Sequence, residues 1–128
     1  VTFEVTPQDT FDQIIGSGAL TYPWYVTYAV TGVDKSGDVY ITGWSVDIEI
    51  ENPDGDETLA FTVNHRAIVD ALDVISTAHL TGVRIEGVSA SVFVDAHYLL
   101  NSPDYADFDA SMADEVLQVM AFGDVVFG

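Results

Sequence analysis

The sequence predicts an α+β fold: a three-stranded, or slightly larger, antiparallel meander packed against two to four helices. Three observations carry this. Two-residue alternation of apolar and polar side chains marks three runs between Tyr22 and Val63. Helical spacing takes over after Asn64. Asp54-Gly55 sits between two of the alternating runs, where a two-residue hairpin turn is favoured. Strands first and helices later read as a sheet backed by helices, in one domain spanning residues 1–128.

The elements follow in chain order. Thr10-Phe11-Asp12-Gln13 has the form of a capping box, and Gly16 supplies a stop, so a short helix is expected over Phe11–Ile15. The first strand, Tyr22 to Val30, places Tyr22, Trp24, Val26, Tyr28 and Val30 on one face and points Tyr25 the other way. The loop Gly32 to Gly37 turns the chain. The second strand, Val39 to Glu51, directs Tyr40, Trp44, Val46, Ile48 and Ile50 inward. The third, Glu57 to Val63, does the same with Leu59, Phe61 and Val63. A type I′ turn at Asp54-Gly55 pairs Ile50 with Leu59, Ile48 with Phe61 and Val46 with Val63. A slip of one residue would turn acids toward the core.

Asn64 reads as an N-cap for a helix to Thr77 with Ile68, Ala71, Leu72 and Ile75 on its apolar face. Val83-Arg84-Ile85 fits a short strand. Val92 to Leu100 suits a helix, although Val92, Phe93 and Val94 also suit a strand. Asp109 caps a final helix carrying Met112, Ala113, Val116 and Met120, and Gly123 ends it. Asp124 to Phe127 is expected to return as a short strand.

Charge is the dominant feature of the composition. Three Lys and Arg (Lys35, Arg66 and Arg84) face 21 Asp and Glu, a formal charge of −18. At least 18 carboxylates therefore have no cationic partner within the chain, and most must lie on the surface. Such a surface repels nucleic-acid phosphates and anionic membranes and attracts basic protein surfaces. There is no cysteine, which excludes disulfides and thiolate chemistry. The Val1-Thr2-Phe3-Glu4 start has no leader character and no apolar run reaches membrane length, so a cytoplasmic location is expected.

Catalytic and metal motifs are weak. No Gly-x-Ser-x-Gly elbow occurs, and His65, His79 and His97 are scattered. Asn52 to Glu57 has calcium-loop residue types in the wrong order. Asp104 to Glu115 has the right length but carries Asp109 where glycine is required. Gly16-Ser17-Gly18 lacks the rest of a phosphate loop. The chain is accordingly expected not to be an enzyme and to need no metal or cofactor.

The ending is distinctive. Asp107-Phe108-Asp109-Ala110, Ala113-Asp114, Val116-Leu117-Gln118 and Phe122-Gly123-Asp124-Val125-Val126-Phe127-Gly128 together resemble the C-termini of small acidic proteins of actinobacterial phages and their hosts. The resemblance covers about the last 22 residues, supplies no catalytic residues, and implies a phage or mobile-element context.

One acidic arrangement has geometry. Asp47, Glu49 and Glu51 share the outward face of the central strand, spaced about 6.5–7 Å apart by strand rise. Asp54, Asp56 and Glu57 extend the row through the hairpin. The expected function is a non-catalytic acidic protein-binding module, a phage-encoded inhibitor or nucleic-acid mimic. These six acids would meet a basic host protein, with Tyr25 as an exposed aromatic anchor. The alternatives are a phage structural or accessory protein, and a halophile-adapted domain whose acidity serves no partner.

Overall fold

The structure, a computed structural model, describes residues 3–128, so Val1 and Thr2 of the stretch read for a leader lie outside it. The chain opens with α1 (Pro7–Thr10), which runs into a π-helical turn over Phe11–Ile15 and a 3₁₀ turn over Ala19–Thr21. Three strands follow, β1 (Tyr25–Thr31), β2 (Ser45–Glu51) and β3 (Thr58–Asn64). The chain then forms α2 (His65–Thr81), α3 (Ala90–Asn101) and α4 (Ala110–Phe122). The sheet is antiparallel in the order β1-β2-β3, so the α+β meander is present as expected.

The β2–β3 register is the expected one: Ile50 faces Leu59, Ile48 faces Phe61 and Val46 faces Val63. The turn is different. Neither Asp54 nor Gly55 adopts a positive φ, which a type I′ turn requires at both positions. Instead the ladder stops at Glu51–Thr58, and the Asn52 side chain accepts from the Asp54 amide at 2.9 Å. That local bond stabilises an Asx turn. The register is held by apolar pairs, not by the turn.

The capping box forms one turn earlier than expected. Thr6 accepts from the Asp9 amide, Asp9 accepts from the Thr6 amide, and Pro7 occupies the first helical turn. Thr10 is thereby freed from capping and is wholly buried. Its hydroxyl lies 2.9 Å from His65 Nδ1 and 3.2 Å from the indole nitrogen of Trp44, which also donates to Pro7. Gln13 reaches across the molecule to accept from the Phe108 amide.

The second strand starts at Ser45, not Val39. A tight turn, closed by Gly43 N–H donating to Tyr40 O, leaves Tyr40 and Ile41 exposed. Gln8 grips this loop, accepting from Val39 N–H and donating to Gly37 O. Gly32, at φ +81°, starts the loop, and a Cβ there would overlap the Gly43 carbonyl and sit 2.8 Å from Trp44 Cα.

Asn64 caps α2 as expected by accepting from Ala67 N–H, and Ile68, Leu72 and Ile75 are fully buried. The helix runs on to Thr81 and stops at Gly82, which adopts the left-handed conformation. The segment from Val92 is helical, as α3. Val83-Arg84-Ile85 forms no strand. Asp109 caps α4 and Gly123 ends it. The tail after Gly123 is not a strand either. The Gln118 side chain meets it instead, accepting from the amides of Val126 and Phe127 and donating to Phe127 O. One side chain thus replaces a strand partner. Among the described residues, no helix is long and apolar enough to cross a membrane.

Two outcomes test this packing. Gly32→Ala is expected to cost more than about 2 kcal/mol in denaturant unfolding, because both the overlap and the positive φ oppose it. The second concerns His65, whose pKa burial lowers from 6.5, with Asp9 opposing. Below about pH 6.5 the unfolded chain binds a proton that the folded chain resists, so stability falls as pH drops through this range. The unfolding midpoint of His65→Gln should therefore decline less than the native one between about pH 7.5 and 5.5.

Candidate functional site

The sheet has two unlike faces. One packs on the helices and buries Val46, Ile48, Ile50 and Val63. The other is open. Along its centre run Asp47, Glu49 and Glu51, all exposed, as the two-residue period requires. The flanking positions are small: Ala29 and Thr62 pair with Asp47, and Thr27 and Ala60 pair with Glu49. These six residues line a shallow open depression. Thr62 donates to Asp47 at 2.9 Å, which orients one carboxylate. Asp54, Asp56 and Glu57 are exposed in the loop beyond Glu51 and continue the acidic surface.

Tyr25 does not belong to this face. It is 5% exposed, and its partner across the ladder is the buried Ile50. The cause is a bulge: the pairing shifts between Tyr25 and Thr27, with Val26 as the extra residue. The bulge turns Tyr25 inward and leaves Val26 outside at 49% exposure. The strand also begins at Tyr25, because Tyr25 N–H closes a turn onto Tyr22 O. Tyr28 and Val30 do keep the inward direction expected of them, opposite Ile48 and Val46. They nevertheless remain 51% and 40% exposed, since the helices cover β1 only at Tyr25.

Two acids lie inside the protein, and the alternation of strands gave no sign of them. Asp114 and Glu115 on α4 are buried. The Asp114 carboxylate accepts from Tyr25 O–H at 2.6 Å and Trp24 N–H at 2.8 Å on one oxygen, and from Gln118 at 2.9 Å on the other. Burial and the adjacent carboxylate push the Tyr25 phenol far above its ordinary pKa, which keeps it a donor. Glu115 accepts from the amide and hydroxyl of Ser89, the N-cap residue of α3, and so places its charge at that helix's positive end. A sequence signal existed: both acids fall in an α4 run that is otherwise apolar or amide from Ala113 to Met120. All four of their oxygens are taken by neutral donors, which makes the pair a structural tie.

The histidines are dispersed. His65 faces Thr10, His79 stacks on Phe93, and His97 sits beside Asn101. Among the described residues, no group of three or more His, Cys, Asp or Glu is placed to hold a metal ion. Comparison with known proteins gives no match to a family model, a curated protein or a solved structure.

The two classes of acid should respond unequally to neutralisation. Asp114→Asn turns an amide N–H₂ toward a donor and is expected to cost about 2–3 kcal/mol in unfolding experiments. Asp47→Asn should change stability by less than about 0.5 kcal/mol, because that carboxylate is exposed among like charges.

Proposed function

We propose that this chain is a non-catalytic protein-binding module that presents the open face of its sheet to a basic protein surface. Asp47, Glu49 and Glu51 form the centre of contact, and Asp54, Asp56 and Glu57 its extension. Tyr25 is no part of it. The observation that carries this reading is the build of the face itself. A line of carboxylates runs down the central strand with small side chains on both sides, so Lys or Arg heads can approach without displacing bulk. Few cations of the chain compete for these acids. Arg66 pairs with Asp70 on α2, and Arg84 with Glu86. Long-range attraction would make association fast and sensitive to salt.

The same row fits an inhibitor that occupies a nucleic-acid-binding surface, in keeping with the phage context that the chain's ending implies. The rival reading, acidity that serves solubility or high salt alone, assigns no special place to the central strand.

A matched pair of variants separates the two. One neutralises Asp47, Glu49 and Glu51 to their amides. The other neutralises three exposed acids elsewhere, Glu4, Asp73 and Asp104, with the same change in net charge. Binding to a polylysine-coated surface at low salt is expected to weaken at least about fivefold more in the first than in the second. Equal weakening would show that the charge acts only as a diffuse field.

A further inference from the structure

The outer edge of β1 is bare in three respects. Among the described residues its only strand partner is β2, so one side of its backbone has no ladder. Exposed edges in natural sheets are usually guarded by a charge, a proline or a covering element. Tyr25–Thr31 has no charge, no proline and no glycine. The bulge at Val26 disturbs only its start, leaving Thr27–Thr31 in regular pairing. Lastly, Tyr28 and Val30 point to the helix side but stay 51% and 40% exposed, while their partners Ile48 and Val46 are 2% and 0% exposed. Beyond Tyr25, which reaches Asp114 of α4, the helix layer stops at β2, one strand short of the sheet's edge.

β3, the other edge, likewise pairs only with β2 among the described residues and has no charge, proline or glycine, but it differs in the third respect. Leu59 and Phe61 on it are half-buried against the core, and Phe61 meets Phe122 edge-on at 6.2 Å.

We propose that Thr27–Thr31 accepts one extended segment of a partner protein, adding a fourth strand in which basic and apolar side chains alternate. This rests on the acidic-face reading above and names the form of the partner. The alternation follows from the two faces of the sheet. On the helix side, an added strand's apolar side chains would cover Tyr28 and Val30 and complete the layer. On the open side, its other side chains would stand beside Thr27 and Ala29. Those two are short, and directly beyond them lie Glu49 and Asp47. An added strand lies two strand spacings from β2, about 9.5 Å. A Lys or Arg can cross Ala29 or Thr27 over that distance and place its charge at the carboxylates, whereas a short side chain cannot. Backbone bonds give affinity and the alternating side chains give selectivity. A second copy of this chain is a poor occupant, because each copy carries a formal charge of −18.

The probe is a capped heptapeptide of alternating Lys and Val, titrated into the full chain at low salt. Amide chemical shifts and hydrogen exchange are followed. Two comparators accompany it: the same peptide N-methylated at alternate residues along one edge, and capped heptalysine. The alternating peptide is expected to slow exchange of amides within Thr27–Thr31, and to bind at least about tenfold more tightly than either comparator. Ala29→Lys, which fills the crossing with a fixed cation at an exposed site, should weaken it by a similar factor. Equal binding of all three peptides would overturn the edge proposal while leaving the acidic-face reading intact. Protection along β3 instead of β1 would overturn it too. So would β1 protection that rises with protein concentration without peptide, since the occupant would then be a second copy. No binding by any of the three would overturn both this proposal and the reading beneath it.

Discussion

The Asp114 carboxylate is the tie on which the layout of the chain depends. It gathers Trp24 and Tyr25 from the start of β1 and Gln118 from its own helix, and Gln118 in turn clips the tail at Val126 and Phe127. Trp24 is thereby held between Tyr22 and Phe127, stacked at 4.9 and 5.6 Å. A buried carboxylate without a cation is costly unless every oxygen finds a donor, and here each one does. The tie also shapes the exposed side of the molecule. With Tyr25 drawn inward and Val26 bulged, β1 leaves the core after its first residue. The rest of the strand runs out beyond the helix layer.

This division of labour explains how so acidic a chain holds together. Among the described residues, the ion pairs Arg66–Asp70 and Arg84–Glu86 are well exposed and contribute little. Stability rests on one apolar core that draws on all three strands and on α2, α3 and α4. Surface carboxylates repel one another and detract from that stability at low salt. They also give the open edge a form of protection. β1 carries no charge of its own, but the acids of β2 stand one strand away and repel other copies of the chain. The same field would attract the cationic segment proposed for the edge.

Much of the fold was legible because its signals were redundant. Three apolar pairs fixed the β2–β3 register, so it survived a wrong turn type at Asp54-Gly55. Asn64, Asp109 and Gly123 marked helix ends through short-range bonds that any environment preserves. The central carboxylate row was legible for the same reason, since alternation decides which way each side chain points. Failures came where one residue or a distant partner decided the outcome. A bulge at Val26 inverted Tyr25, and alternation has no means of announcing a bulge. Thr6 and Thr10 head similar capping patterns, and the choice fell to the earlier one, with Pro7 beside it and Thr10 drawn to Trp44 and His65. The tail resembles a strand in composition, but Gln118 satisfies its backbone from a helix. The apolar run of α4 marks Asp114 and Glu115 as inward, but not what they bind, because Tyr25 and Ser89 lie 89 and 26 positions away in the chain.

Native-state hydrogen exchange on the free protein tests the central claim most directly, namely that β1 is an uncovered edge joined to a buried frame. Amides of Thr27–Thr31 that point away from β2 are expected to exchange orders of magnitude faster than those of β2, whose slowest amides should approach the protection of global unfolding. Protection of those β1 amides equal to that of β2, at protein concentrations where the chain is monomeric, would contradict it. The edge would then be covered and would have no room for a further strand.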